Sequence, residues 1–193
     1  GRLYGEAHMA RLYGEVAPIP AARVRPLRGG ETLPLAGGVR VAATPGHASH
    51  HVAYLHEASG RAFVGDVAGV RIPPSSLTIA PTPPPDIDVE AWERSLDRIA
   101  AWRPASLGLT HFGAVDDVDG QLAAVRQSLR DLAALARRAD ADALEHAVRG
   151  AIERETPDAA VAQAYATAVP PSHLHLGLAR YWRKRAERER AAR

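Results

Sequence analysis

Val39-Arg40-Val41-Ala42-Ala43-Thr44-Pro45-Gly46-His47-Ala48-Ser49-His50-His51 is the stretch on which the reading of this chain turns. Its first half follows Gly37-Gly38 and is rich in β-formers, so it reads as a strand. Pro45-Gly46 then makes a tight turn that delivers His47 at the strand's carboxyl end. Two further places repeat that pattern. Val52-Ala53-Tyr54-Leu55 and Ala62-Phe63-Val64 flank a turn at Ser59-Gly60, which predicts a hairpin, and Asp66 follows its second strand after Gly65. Leu107-Gly108-Leu109 is a short apolar run that ends in Thr110-His111.

Strand ends on one rim of a sheet converge in space, so His47, Asp66 and His111 can meet although they are far apart in sequence. Imidazole nitrogen and carboxylate oxygen together suit zinc, iron or manganese, and a carboxylate can bridge two ions. Each residue also has an ordinary reading. A single strand-end histidine is more often a surface residue than a ligand, and an aspartate after glycine commonly caps a turn. Their ordered recurrence is what favours a metal site.

Composition removes several other chemistries. The chain has 193 residues, 46% hydrophobic and 24% charged, in the range of a globular protein. It contains no cysteine, which excludes a disulfide framework, a cysteine nucleophile and thiolate zinc sites. The single lysine, Lys184, has no glycine-rich loop before it, so no Walker-type phosphate loop is present. No apolar run nears the length of about 20 residues that a membrane span needs, and Gly1-Arg2-Leu3-Tyr4 carries no secretory pattern. No membrane partner and a cytoplasmic location are the expectation. Nine histidines remain, four of them at 47, 50, 51 and 56. The net charge of +2 divides unevenly: residues 180–193 hold seven basic side chains against Glu187 and Glu189, leaving −3 for the rest. A uniformly basic nucleic-acid surface is therefore not expected, although a basic arm exists.

Helical spacing appears between and after the strands. Val89, Trp92, Leu96 and Ile99 recur behind Asp88, an N-cap candidate, and Leu122 to Ala136 form a longer amphipathic stretch expected to cover the sheet. Leu144, Val148 and Ile152 after Asp140 mark a third helix. Thr156-Pro157-Asp158 reads as the start of a fourth, with Thr156 as cap and Pro157 at its first position. A fifth, frayed helix runs from His173 to about Arg190, with Tyr181 and Trp182 expected to anchor it by packing. Between strands and helices, Pro73–Pro85 holds six prolines and must be extended. It reads as a rigid connector, with substrate gating the weaker alternative. The two Arg-Leu-Tyr-Gly-Glu copies at 2–6 and 11–15 would face opposite sides of a helix and are read as coincidence.

Thr44-Pro45-Gly46-His47-Ala48-Ser49-His50-His51, Phe63-Val64-Gly65-Asp66 and Leu109-Thr110-His111-Phe112-Gly113 resemble, in the right order, the third, fourth and fifth motifs of the metallo-β-lactamase superfamily. The resemblance runs from about residue 16 to 135. It implies an α/β fold, the carboxyl-terminal part of an αββα sandwich, at 1–139, followed by a small helical appendage with a basic tail at 140–193. It implies His47 as a ligand of one metal, Asp66 as a bridge and His111 as a ligand of a second, with His51 behind them holding the strand end or a ligand. The cofactors implied are two divalent ions, zinc first, with iron or manganese as alternatives. The chemistry implied is hydrolysis of a small ester, thioester or lactone by metal-bound hydroxide, in the glyoxalase II-like branch, with no protein nucleophile required. His50 stands where that branch commonly has glycine, and His56 is expected to be a solvated turn residue.

The family's His-x-His-x-Asp-His motif, which supplies most of the ligands, is absent here, and the only earlier histidine is His8. Three donors cannot close two metal sites, since zinc normally takes four ligands. The expectation is the carboxyl-terminal part of a longer hydrolase, N-terminally truncated and by itself a poor metal binder without activity. The partner is then a small-molecule substrate, with nucleic acid the weaker expectation and self-association through the appendage one option. Two other readings stand beside this one: a mononuclear-iron, persulfide dioxygenase-like enzyme, and a non-enzymatic binding module that uses the Arg-rich tail. His146, His173 and His175 lack ligand-like spacing and are read as structural or solvated.

Overall fold

The four segments that read as strands pair into one mixed antiparallel-and-parallel sheet, extended by a short strand at each end. In the computed structural model, which describes residues 10–11, 14–111, 113–156 and 158–192, six strands stand in the order β1 to β6. They are β1 (Thr32–Leu33), β2 (Val39–Ala43), β3 (Val52–His56), β4 (Arg61–Gly65), β5 (Ser106–Leu109) and β6 (Gly113–Val115). All neighbours are antiparallel except β4 and β5, which run parallel with Gly65 opposite Leu109. Because β2 and β4 flank an antiparallel β3, they point the same way, and β5 follows β4. The carboxyl ends of β2, β4 and β5 therefore lie along one edge. The short strands β1 and β6 were not expected from the sequence; with two and three residues they carry too little pattern to read.

The sheet's inward residues Ala53, Leu55, Ala62, Val64, Leu107 and Leu109 are all buried. Against them pack α1 (Val89–Ala101), through Trp92, Leu96 and Ile99, and α2 (Val118–Arg138), through Leu122, Val125 and Leu129. The opposite face is more open: Tyr54 and Phe63 sit across from each other in register, and Phe63 is 50% exposed.

Aspartates start four of the described helices. Asp88, Asp117, Asp140 and Asp158 each accept a hydrogen bond from the backbone N–H three residues on, opening α1, α2, α3 (Ala141–Glu155) and α4 (Ala159–Ala168). Such caps contribute about 1 kcal/mol each. The expected cap at Thr156 is corrected. Thr156 closes α3, its N–H and hydroxyl both donating to the Ile152 carbonyl, so Asp158 opens α4 instead. Pro157 and the first Arg-Leu-Tyr-Gly-Glu copy lie outside the described residues, and the second copy is described only in part.

The last helix, α5 (Pro171–Ala191), is continuous for 21 residues. Its Leu174, Leu178 and Tyr181 join the same buried cluster as the sheet, as do Leu144, Val148, Ile152 and Tyr165 from α3 and α4. Trp182 donates its indole N–H to the Ala133 carbonyl at 2.9 Å, and the Arg137 and Arg185 guanidinium groups stack on its ring. Part of the basic tail is thus engaged with the body. No described helix is long and apolar enough to cross a membrane.

The Tyr181 hydroxyl donates to both Glu90 carboxylate oxygens at 2.8 Å, and Arg185 contacts the same carboxylate and hydroxyl. Burial, and then the Glu90 acceptor, push the Tyr181 phenol up to about 12. A pKa raised in the folded state favours the protonated form there. The stabilisation is complete below about pH 10, the unfolded value, and is lost as pH rises through about 12. Thermal melts between pH 8 and pH 12.5 should therefore fall more steeply for the native protein than for Tyr181→Phe. Parallel curves would show that the pair does not hold α5.

Candidate metal centre

Three loops at the shared strand edge carry the chemistry, and the first two are fixed from α1 or α2. After β2, Pro45-Gly46-His47 turns back over the N-terminus of α1. Gly46 has φ +138°, and a Cβ there would fall on the Trp92 backbone. The Gly46 carbonyl accepts from the Asp88 N–H at 2.9 Å, and the Pro45 carbonyl accepts from the Ser95 hydroxyl at 2.6 Å. Glycine is required here for close approach as well as for backbone angle.

After β4, Gly65 adopts φ +54° and starts a short 3-10 turn, Asp66–Ala68. A Cβ on Gly65 would enter the His51 ring. The turn is gripped on both sides: Trp92 donates its indole N–H to the Val67 carbonyl at 2.6 Å, and the buried Gln121 amide donates to the Ala68 carbonyl at 2.8 Å. His111 lies two residues beyond β5 on the same edge.

Those constraints bring the three expected residues together. His47 Nε2 is 3.5 Å from one Asp66 oxygen, and His111 Nε2 is 3.1 Å from the other. His47 Nδ1 stands 2.9 Å from the Pro81 carbonyl. A carbonyl only accepts, so Nδ1 carries a proton and Nε2 is the nitrogen that faces the carboxylate. The Trp92 ring meets His47 edge-on, with centroids 5.6 Å apart at 82°.

His51 stands behind this group. Its Nδ1 is 2.8 Å from the hydroxyl of fully buried Thr44, and its ring lies 6.2 Å from that of His47 at 81°. Burial, and next the neighbouring His47, lower its pKa against the opposing pull of Asp66, so it stays neutral at pH 7. A neutral ring adds no positive charge beside a cation site. His50 is exposed. His56, expected to be solvated, is instead the last residue of β3: its two ring nitrogens meet the Ser59 hydroxyl and the Ala36 carbonyl. His8 lies outside the described residues.

The fit to a metal rests on Asp66. Its Oδ1 is buried with no hydrogen-bond partner among the described residues, and His111 Nε2 lies 3.1 Å from it. A buried carboxylate oxygen in that state is costly unless a cation or donor meets it. The donor set, two imidazoles and a carboxylate, suits a borderline divalent ion. The three do not make a site on their own: among the described residues no group of three or more His, Asp or Glu side chains is placed to hold a metal ion. They fit a metal as part of a coordination sphere.

Trp92, Gln121 and the Pro81 carbonyl hold this site and were not anticipated from the sequence. Gln121 did leave a trace, as a polar residue in helical register with Val125 and Leu129, both fully buried.

The fold and site together define a mixed α/β protein with histidine and aspartate donors gathered at the carboxyl ends of its strands. The sequence profile of the metallo-beta-lactamase superfamily matches residues 2–111, more than half of the chain. The chain belongs to that superfamily. It is 35% identical over 94 residues to the metallo-beta-lactamase fold-containing protein ST1585 of Sulfurisphaera tokodaii, covering 48% of this chain and 34% of that protein. The crystal structure of ST1585, described as an archaeal metallo-beta-lactamase superfamily protein, superposes with a TM-score of 0.51 at 29% identity, over 64% of this chain and 45% of that one. A metallo-beta-lactamase family protein of Thermus thermophilus gives a TM-score of 0.45 at 27% identity, over 83% and 49% of the two chains. This chain thus spans about a third of the curated relative and under half of its solved structure.

Proposed function

We propose that this chain is the carboxyl-terminal part of a metal-dependent hydrolase in the glyoxalase II-like branch, acting on a small ester, thioester or lactone. His47, Asp66 and His111 would hold divalent ions, zinc first, with Asp66 shared between two. The observation that carries this reading is the Asp66 carboxylate, set between two imidazoles with a buried oxygen that has no hydrogen-bond partner among the described residues. When bound, divalent ions supply Lewis-acid polarisation of the scissile carbonyl and water of lowered pKa.

The residues of the chain prepare for that chemistry. The Pro81 carbonyl holds a His47 proton on Nδ1 and so presents Nε2 to the Asp66 side of the site. Neutral His51 packs against Gly65 and keeps the Asp66 turn in place without adding charge. Asp66 supplies the negative charge that draws a cation to the strand edge. Two features favour an incomplete site in this chain: among the described residues three donors meet, and the sheet face bearing Phe63 and Tyr54 lies open.

The test is zinc titration of the chain, followed by metal analysis after desalting and by ¹H–¹⁵N spectra of the histidine rings. Less than one tightly held zinc per chain is expected, with shifts confined to His47, His111 and the Asp66 turn and no hydrolysis of 4-nitrophenyl acetate or a simple thioester above background. Two tightly held ions would overturn the incomplete-site reading. Zinc that leaves the His47 and His111 signals unmoved would overturn the metal assignment itself.

A further inference from the structure

We infer that helix α5 acts as a buttress for His47, with Thr82 and Gly177 as positioning residues that fix the orientation and tautomer of its imidazole. The inference rests on the metal reading only for its consequence in metal binding; the orientation itself is independent of any metal.

The link runs through the proline-rich segment. On one side, residues 81–88 touch the His47 loop at three points. The Pro81 carbonyl accepts from His47 Nδ1 at 2.9 Å, the Asp86 carboxylate accepts from the Ser49 hydroxyl at 2.7 Å, and the Asp88 N–H donates to the Gly46 carbonyl. On its other side the same segment is held by α5. The fully buried Thr82 hydroxyl donates to the Leu174 carbonyl at 3.0 Å, and Arg180 Nε donates to the Pro85 carbonyl at 3.0 Å. Gly177 lets the helix backbone close on the segment: a Cβ there would collide with the Thr82 carbonyl and press on Ile87 and Pro83.

The segment suits this task chemically. Prolines at 81, 83, 84 and 85 fix φ and lack N–H groups, so the chain here has few other conformations. A carbonyl that is held still selects one imidazole tautomer, and groups that orient a ligand histidine in this way typically change metal affinity by about 10- to 100-fold when lost. The Leu174 carbonyl belongs to the first turns of α5, so its bond to the Thr82 hydroxyl ties the residue after Pro81 to the start of that helix.

The experiment compares Thr82→Val, Thr82→Ser, Gly177→Ala and Tyr181→Phe in the full chain. Long-range ¹H–¹⁵N correlation spectra at about pH 8.5, where unperturbed imidazoles are neutral, report the His47 tautomer directly. The native protein and Thr82→Ser should hold the proton on Nδ1. Thr82→Val and Gly177→Ala should give a mixture of tautomers, together with zinc binding weakened about tenfold. Tyr181→Phe loosens α5 at a different point and should leave the His47 tautomer unchanged. Should Gly177→Ala fail to fold, Thr82→Val carries the test alone.

A Thr82→Val protein with a lowered melting temperature but an unchanged Nδ1 signal would overturn the inference, as would a Tyr181→Phe protein that scrambles the tautomer equally. If the tautomer responds as stated while zinc never perturbs His47, the buttress stands and the metal reading falls. If zinc binds at His47 but the tautomer ignores Thr82, the reverse holds.

Discussion

Trp92→Ala should be the most destabilising single substitution in the protein, costing about 3–5 kcal/mol from the lost volume alone. Trp92 is fully buried and is the largest such side chain in the core. Its loss also removes the indole N–H that the Val67 carbonyl accepts, and an abandoned buried acceptor costs about 1–3 kcal/mol more. For a chain of this length each kcal/mol lowers the melting temperature by roughly 2–4 °C, so the fall should be roughly 8 °C or greater. The consequences reach the site from two directions. The ring packs against His47, and the N–H holds the turn that begins with Asp66. Trp92→Phe separates the two roles. It keeps an aromatic edge and most of the volume while deleting the donor, and should cost about 1–3 kcal/mol. Chemical denaturation of both variants checks this; an alanine variant within about 1 kcal/mol of the native protein would show that the core collapses around the gap.

What could be read in the sequence was what is decided locally. The strands at 39–43, 52–56, 61–65 and 106–109 announce themselves through short apolar runs beside turn residues, and α1 through Asp88 and its apolar spacing. The three donors were legible because each sits just past a strand. That they share one edge depends on the parallel pairing of β4 with β5, and no residue pattern in either strand states it. The failures have the same cause in reverse. Thr156 looked like a cap because its hydroxyl is a good acceptor, but that hydroxyl is already spent on the preceding helix. His56 looked solvated because its partners, Ser59 and the Ala36 carbonyl, come from a turn and a distant loop. The Pro81 carbonyl leaves no trace at all: every residue has a carbonyl, and only the fold decides which one faces a histidine.

The second large effect separates a functional group from a structural one by sign. Asp66→Ala should lower the affinity for zinc by more than about 100-fold, beyond what the loss of an orienting neighbour costs, because it removes the one donor adjacent to both His47 and His111. Without metal, the same substitution should leave the melting temperature unchanged or raise it. The native carboxylate keeps a buried oxygen with no hydrogen-bond partner among the described residues, and removing such a group relieves its desolvation. The turn itself survives, since Gly69 donates to the Asp66 backbone carbonyl, and Val67 and Ala68 are held by Trp92 and Gln121. Zinc titration and thermal melts with and without the ion read the two effects separately. A side chain retained for folding would destabilise the metal-free protein when lost, so a large fall in the metal-free melting temperature would remove Asp66 from the proposed site and leave it as a turn residue. Unchanged metal-free stability with abolished zinc binding places its role in the cation.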